Sequence, residues 1–275
     1  MILDYHMHLV DDDDPYTDEA LGLGRVERYV AAARAAGVDE IGFTDHVSRF
    51  AQASGWFDHP VWQADAVADL GAYHAAVAAA GDAGLPVKVG LEVDYLAGAE
   101  EAIRATVAGY DWDYLLGSVH WVSGLAVDSE RASIWERMEV ADVWARYAEA
   151  VSAAALSGIY DSMAHPDLAK VFGHRPEQRP SHLYEGIADA FAAAGVCAEV
   201  STAGIRNTPF AELYPDPLLL DMLHARGVPV TLASDAHCPA DVGRDFDRAR
   251  AALHEAGYRT ITRFDRRERR QVAFA

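Results

Sequence analysis

The sequence predicts an α/β barrel, and three observations carry that prediction. Short β-rich runs alternate with alanine-rich helical stretches along all 275 residues, the order that produces parallel strands joined by right-handed helical crossovers. Most helical stretches stop at a glycine (Gly37, Gly84, Gly109, Gly158, Gly195, Gly227, Gly257), the residue that commonly closes a helix. The strand-like runs also end on metal-ligand side chains: His6 and His8, Asp45 and His46, Glu92, His120, His165, Asp235 and His237. In a barrel all strands end at one rim, so ligands far apart in sequence converge on one pocket. An open doubly wound sheet would scatter them along an edge, and no glycine-rich phosphate loop follows the first strand.

The elements follow from period and composition. Strands are expected at residues 2–5, 40–44, 87–92, 114–119, 159–164, 196–201 and 228–234, with a possible eighth at 258–264 that carries no ligand. Helices are expected between them at 26–36, 61–83, 102–108, 141–156, 183–194, 217–226 and 245–256. The irregular segments are the acidic run Asp11-Asp12-Asp13-Asp14, the aromatic-containing loop over 48–60, and the loop over 171–180 that holds Phe172-Gly173-His174-Arg175-Pro176. These form the rim, where substrate contacts are expected.

Composition excludes several classes. Half the residues are hydrophobic, enough for one large core, and no break divides 1–275 into two domains. A formal net charge of −20 argues against nucleic-acid polymers and anionic membranes as partners. The two cysteines, Cys197 and Cys238, suggest no disulfide framework and so a reducing compartment. The first residues lack a basic region followed by an apolar stretch, and no later run approaches a membrane span. A cytoplasmic protein is expected.

The ligand types specify chemistry. His6 and His8 lie two apart on a strand, so both imidazoles face the same side. Glu92 can bridge two cations with its two oxygens, at the ~3.5–4 Å separation of two-metal hydrolytic sites. His46 is expected to ligate, with Asp45 beside it to orient a ligand or a water, the competing role for Asp45 being a helix N-cap. His120 and His165 would each pass alone for core histidines. Asp235 reaches the ion of His6 and His8, and His237 a neighbouring one. Six of the twelve histidines fall at strand ends, and this joint placement outweighs each bland alternative.

These motifs, in this order, resemble the polymerase-and-histidinol-phosphatase (PHP) superfamily of metal phosphoesterases: His-x-His, Thr44-Asp45-His46, an isolated Glu92, Gly117-Ser118-Val119-His120, Ala164-His165-Pro166-Asp167 and Ser234-Asp235-Ala236-His237. The resemblance implies a distorted (βα)7 TIM-like barrel with the metal site at the C-terminal ends of the strands. Within the superfamily the chain is similar to the histidinol-phosphatase family, through Phe172-Gly173-His174-Arg175-Pro176, Ser201-Thr202-Ala203-Gly204-Ile205-Arg206, Leu213-Tyr214-Pro215 and Asp241-Val242-Gly243. That family hydrolyses L-histidinol phosphate in histidine biosynthesis. The implied cofactors are two to three divalent ions (Zn, Mn or Fe). One would be held by His6, His8, Glu92 and Asp235, a second by Glu92, His120 and His165, and a third by His46, His237 and one more ligand. The family usually supplies that last ligand as a histidine of the first loop; here the position falls on Asp14.

The expected chemistry is in-line attack on phosphorus by a hydroxide bridging the first two ions. Arg206, after the one strand without a metal ligand, is expected to bind phosphate, and Arg175, His174 and Lys170 are further candidates for the substrate. Asp45 or His237 is expected to serve the leaving group, and Trp56, Asp58 and Trp121 the histidinol moiety. Three alternatives accompany this reading: a related phosphoesterase for nucleoside bisphosphates, an amidohydrolase, and a catalytically silent metal-binding domain. The second is disfavoured because no lysine closes a strand to bridge ions, and the third by the nearly intact ligand set.

Overall fold

The computed structural model describes residues 1–11 and 14–274. Its centre is a barrel of seven strands, labelled β1 (Leu3–Asp4), β2 (Glu40–Phe43), β3 (Val87–Asp94), β4 (Tyr114–Ser118), β5 (Ser162–Met163), β6 (Cys197–Ser201) and β7 (Val230–Ala233), hydrogen-bonded in chain order. Every pair is parallel. After each strand comes a helix: α1 (Leu23–Ala35), α2 (Leu70–Asp82), α3 (Glu100–Val107), α4 (Val140–Leu156), α5 (Ser181–Ala194), α6 (Pro217–Ala225) and α7 (Phe246–Ala256). The strand ends of β1 and β7 close the ring, through Tyr5 N to Leu232 O at 3.1 Å, Asp235 N to His6 O at 2.8 Å and His8 N to Ala236 O at 2.8 Å. The chain is a distorted (βα)7 TIM-like barrel.

Two expectations change in detail. The single helix over 61–83 is two, Pro60–Asp65 and α2, because the Asp69 side chain accepts from Gly71 N and starts a new helix. The possible eighth strand is not a barrel stave. It is β8 (Thr260–Asp265), an antiparallel hairpin with β9 (Glu268–Ala273). The hairpin crosses the opposite end of the barrel from the ligands. There Arg263 pairs with Glu40 at 2.6 Å, Arg267 with Asp161 at 2.8 Å and Lys88 with Asp265 at 2.8 Å, each contact reaching the start of a strand or the residues just before it.

One continuous apolar cluster runs from Leu3 to Phe274. Within it, buried tyrosines of the helices reach the ligand-bearing rim. Tyr29 of α1 donates to His8 O at 2.7 Å and lies 3.1 Å from His237 O, Tyr73 of α2 donates to Gly90 O at 3.0 Å, and Tyr147 of α4 donates to His165 O at 3.2 Å. A buried carbonyl without a donor is costly, so each hydroxyl satisfies a carbonyl at or within two residues of a candidate ligand and helps fix the backbone there. Gly42 admits the barrel-filling Tyr114, since a Cβ there would lie 2.1 Å from the tyrosine oxygen. No helix is long and apolar enough to cross a membrane among the described residues.

Candidate metal centre

The strand ends bring nine candidate ligand and orienting residues to one rim, and Glu92 stands at their middle. It is wholly buried, and its Oε2 lies 2.6 Å from His46 Nδ1, 3.4 Å from His6 Nε2 and 3.9 Å from His8 Nε2. Its Oε1 lies 3.1 Å from His165 Nε2 and 3.5 Å from His120 Nε2. Asp235 Oδ1 lies 3.2 Å from His8 Nε2 and 3.5 Å from His6 Nε2. Four overlapping triads have their donor atoms within 4.8 Å of one another: His6/His8/Asp235, His6/Glu92/His165, His46/Glu92/His120 and His8/His46/His237. The first three share Glu92 or His6, which is the arrangement a bridging carboxylate produces.

The donor set fits divalent cations. His6 Nε2 is buried without a hydrogen-bond partner among the described residues, directed between the carboxylates of Glu92 and Asp235. Its other nitrogen, Nδ1, is 2.8 Å from Glu199 Oε2. A proton there leaves the Nε2 lone pair free to coordinate. His120 repeats the device, with Nδ1 2.8 Å from Asp94 Oδ1 and Nε2 turned to Glu92. Burial and the imidazoles of His237 and His46 push His8 down to about 3, so it is neutral and able to donate electrons to a metal. Burial alone would raise Glu92, but the imidazoles of His46, His6 and His120 hold it well below the usual carboxylate range.

Backbone strain marks the same positions. Asp235 has φ of 51° and His165 of 22°, the left-handed region that costs a non-glycine residue roughly 1–2 kcal/mol. Hydrogen bonds hold the chain beside Asp235: Arg206 Nη2 donates to Ser234 O at 2.7 Å, and Asp4 accepts from Ser234 N at 2.9 Å and Gly243 N at 3.0 Å.

Other candidates land elsewhere. Asp45 is buried and accepts from Leu9 N (2.5 Å), Val10 N (3.3 Å) and Tyr16 Oη (2.8 Å), with burial pushing it up to about 6. It therefore anchors the loop after β1 and does not cap the short helix that follows. Lys170 is enclosed, donating to Asp167 Oδ2 and Leu213 O, both at 2.7 Å, behind Tyr214. It neutralises a buried carboxylate and does not line the cavity beside His46 and His120. Arg175 pairs with Glu212 and covers Phe210 at 4.1 Å. His174 stacks on Trp135 at 4.4 Å and lines a rim cavity with His59 and Phe172. Asp58 is exposed and accepts from Gln63, whereas Trp56 lines a separate groove and Trp121 both that groove and the ligand cavity.

Asp14 joins none of the four triads. Its carboxylate is half exposed and lies 3.4 Å from Arg25. Asp12 and Asp13 of the same run lie outside the described residues. Arg206 is brought to the rim: it spans from Ser234 O toward Asp241 at 3.8 Å, and its Nη1 is buried without a hydrogen-bond partner among the described residues.

Sequence reasoning passed over Glu199. It sits in the middle of β6, takes His6 Nδ1 on one oxygen and His165 N on the other at 3.1 Å. The signal was a carboxylate within an otherwise apolar buried strand, where a charge persists only with partners.

Comparison with known proteins agrees with this geometry. A model of the PHP domain matches residues 17–203. A protein of Deinococcus radiodurans named "Probable histidinol-phosphatase" is 34% identical over 265 residues, covering 95% of this chain and 96% of that one. The histidinol-phosphatase of Bacillus subtilis is 26% identical over 182 residues, 59% of this chain and 68% of its own. Among solved structures, a histidinol phosphate phosphatase from Lactococcus lactis subsp. lactis, crystallised with zinc, L-histidinol and phosphate, superposes with a TM-score of 0.78 at 20% identity over 98% of both chains. The barrel, its ring of histidines about a central glutamate, and these likenesses together make the chain a member of the PHP domain family.

Proposed function

We propose that the protein is a metal-dependent phosphomonoesterase that hydrolyses L-histidinol phosphate to L-histidinol and phosphate in histidine biosynthesis, with the whole chain acting as one catalytic domain in the cytoplasm. The single observation that carries the reading is Glu92, whose two oxygens face five imidazoles at once. The Deinococcus relative, similar along nearly its full length, supports the substrate. Two to three divalent ions, zinc, manganese or iron, are the cofactors we assign.

His6, His8, Glu92 and Asp235 would hold one ion, and Glu92, His120 and His165 a second. His46 and His237 would hold a third, and His8 stacks on both at 4.3 and 4.1 Å. Such ions neutralise a phosphate dianion and lower the pKa of water toward neutrality. The chain's own part is to fix the reacting groups. Glu199 and Asp94 orient His6 and His120, Asp45 holds the loop over the rim, and Arg206 keeps Nη1 as a donor for a phosphoryl oxygen. The site also explains how a protein of net charge −20 accepts an anion, because clustered cations invert the local field.

The test is phosphate release from L-histidinol phosphate beside a nucleoside 3′,5′-bisphosphate, on a preparation whose metal content is measured. Equal or faster turnover of the nucleotide would overturn the substrate. On the same assay Arg206→Ala should lower kcat/KM by about tenfold, the value of one charge-assisted hydrogen bond. Unchanged kinetics would remove Arg206 from phosphate binding.

A further inference from the structure

A cavity of about 610 Å³ beside the candidate metal centre is lined by His46 and His120, by the guanidinium side chains of Arg49 and Arg131, and by four carboxylates: Asp14, Asp65, Asp94 and Asp128. Three of the four are committed. Asp14 faces Arg25, Asp65 accepts from Arg131 Nη1 at 2.7 Å, and Asp94 takes His120 Nδ1. Asp128 is different. Among the described residues the one basic group within 4.0 Å of it is His120 Nε2, at 4.0 Å and beyond hydrogen-bond distance. It belongs to none of the four triads.

The carboxylate is nonetheless held in place. Val127, directly before it, is buried, its N donates to His120 O at 2.9 Å and its O accepts from Trp135 Nε1 at 2.7 Å. The short antiparallel ladder Trp121–Val122 with Leu125–Ala126 returns the chain to the ligand it has just left. The carboxylate is about a third exposed and has no hydrogen-bond donor among the described residues, so its oxygens stay open to a cation that a ligand brings into the cavity.

We propose that Asp128 is the specificity-determining carboxylate of this site, pairing with a positively charged group, ammonium or imidazolium, on the alcohol part of the phosphate ester. The inference rests on the phosphomonoesterase reading and deepens it. The metal centre takes the dianionic end of the substrate, and Asp128 stands beside His120 to take the cationic end. The site then selects zwitterionic esters over plain ones by a pair that forms in a partly desolvated cavity.

The isosteric Asp128→Asn variant tests this against two substrates. With L-histidinol phosphate, KM should rise about tenfold or more, and with 4-nitrophenyl phosphate, which has no cation, kcat/KM should stay within about twofold, at unchanged bound metal. Equal losses on both substrates, or loss of metal, would assign Asp128 to the metal centre and overturn the proposal. No change on either would overturn it as well. If the wild-type protein ignores L-histidinol phosphate, the substrate assignment fails separately. The same variant compared on O-phosphoethanolamine and glycerol phosphate still decides the role of Asp128, which requires a selective loss on the ammonium-bearing ester.

Discussion

Replacing Glu92 by glutamine should abolish metal loading and lower phosphate release by about a thousandfold or more, close to 4 kcal/mol of lost barrier reduction. The reason is geometric. Glu92 is wholly buried and lies within 4 Å of His6, His8, His46, His120 and His165, so no other carboxylate can take over both of its contacts. Glutamine keeps the volume but loses the charge, and its amide group turns N–H bonds toward the position of a cation. Metal content per chain and turnover, measured on one preparation, check the expectation. A variant that retains its full metal complement and near-normal turnover would show that Glu92 bridges nothing.

The convergence of the candidate ligands was legible because a barrel converts sequence position into place. A residue at the end of any parallel strand reaches the same rim, so His6, Glu92, His165 and Asp235 needed no knowledge of packing to be brought together. The parallel strands and the helices between them were legible for the same reason, since βα alternation leaves few topologies open, although the expected helix over 61–83 divides in two. The end of the chain was less so. Residues 258–264 have a strand's composition, and only the turn at Arg266 and Arg267, with φ of 49° and 64°, decides that they fold back as a hairpin.

Groups whose role depends on what returns beneath them were not legible. Asp45 follows a strand like a ligand, but the loop after β1 folds over it and presents Leu9 N and Val10 N. Lys170 looks like a rim cation because its loop is irregular, yet Asp167 three residues earlier and the Leu213 carbonyl enclose it. Asp128 lies outside any strand, so periodicity gives it no direction; it is placed by the hydrogen bonds of Val127 to a ligand's carbonyl and a tryptophan. Tertiary hydrogen bonds of this kind carry no local sequence pattern.

Glu199→Gln should weaken metal affinity by about 10- to 100-fold while leaving turnover at saturating metal nearly intact, the behaviour of a group that orients a ligand without touching the reaction. Both of its oxygens are in use, one on His6 Nδ1 at 2.8 Å and the other on His165 N at 3.1 Å. Glutamine has a single acceptor. If that oxygen keeps His165 N, the amide N–H₂ faces His6 Nδ1 and forces the proton to Nε2, the atom directed between Glu92 and Asp235. The imidazole must then pay a tautomer change before it can coordinate. Titration of the metal-stripped variant with zinc or manganese, following both binding and phosphate release, separates the possibilities. Unchanged affinity would mean that His6 is oriented by its packing alone. Lost turnover at full metal occupancy would move Glu199 from support into the chemistry itself.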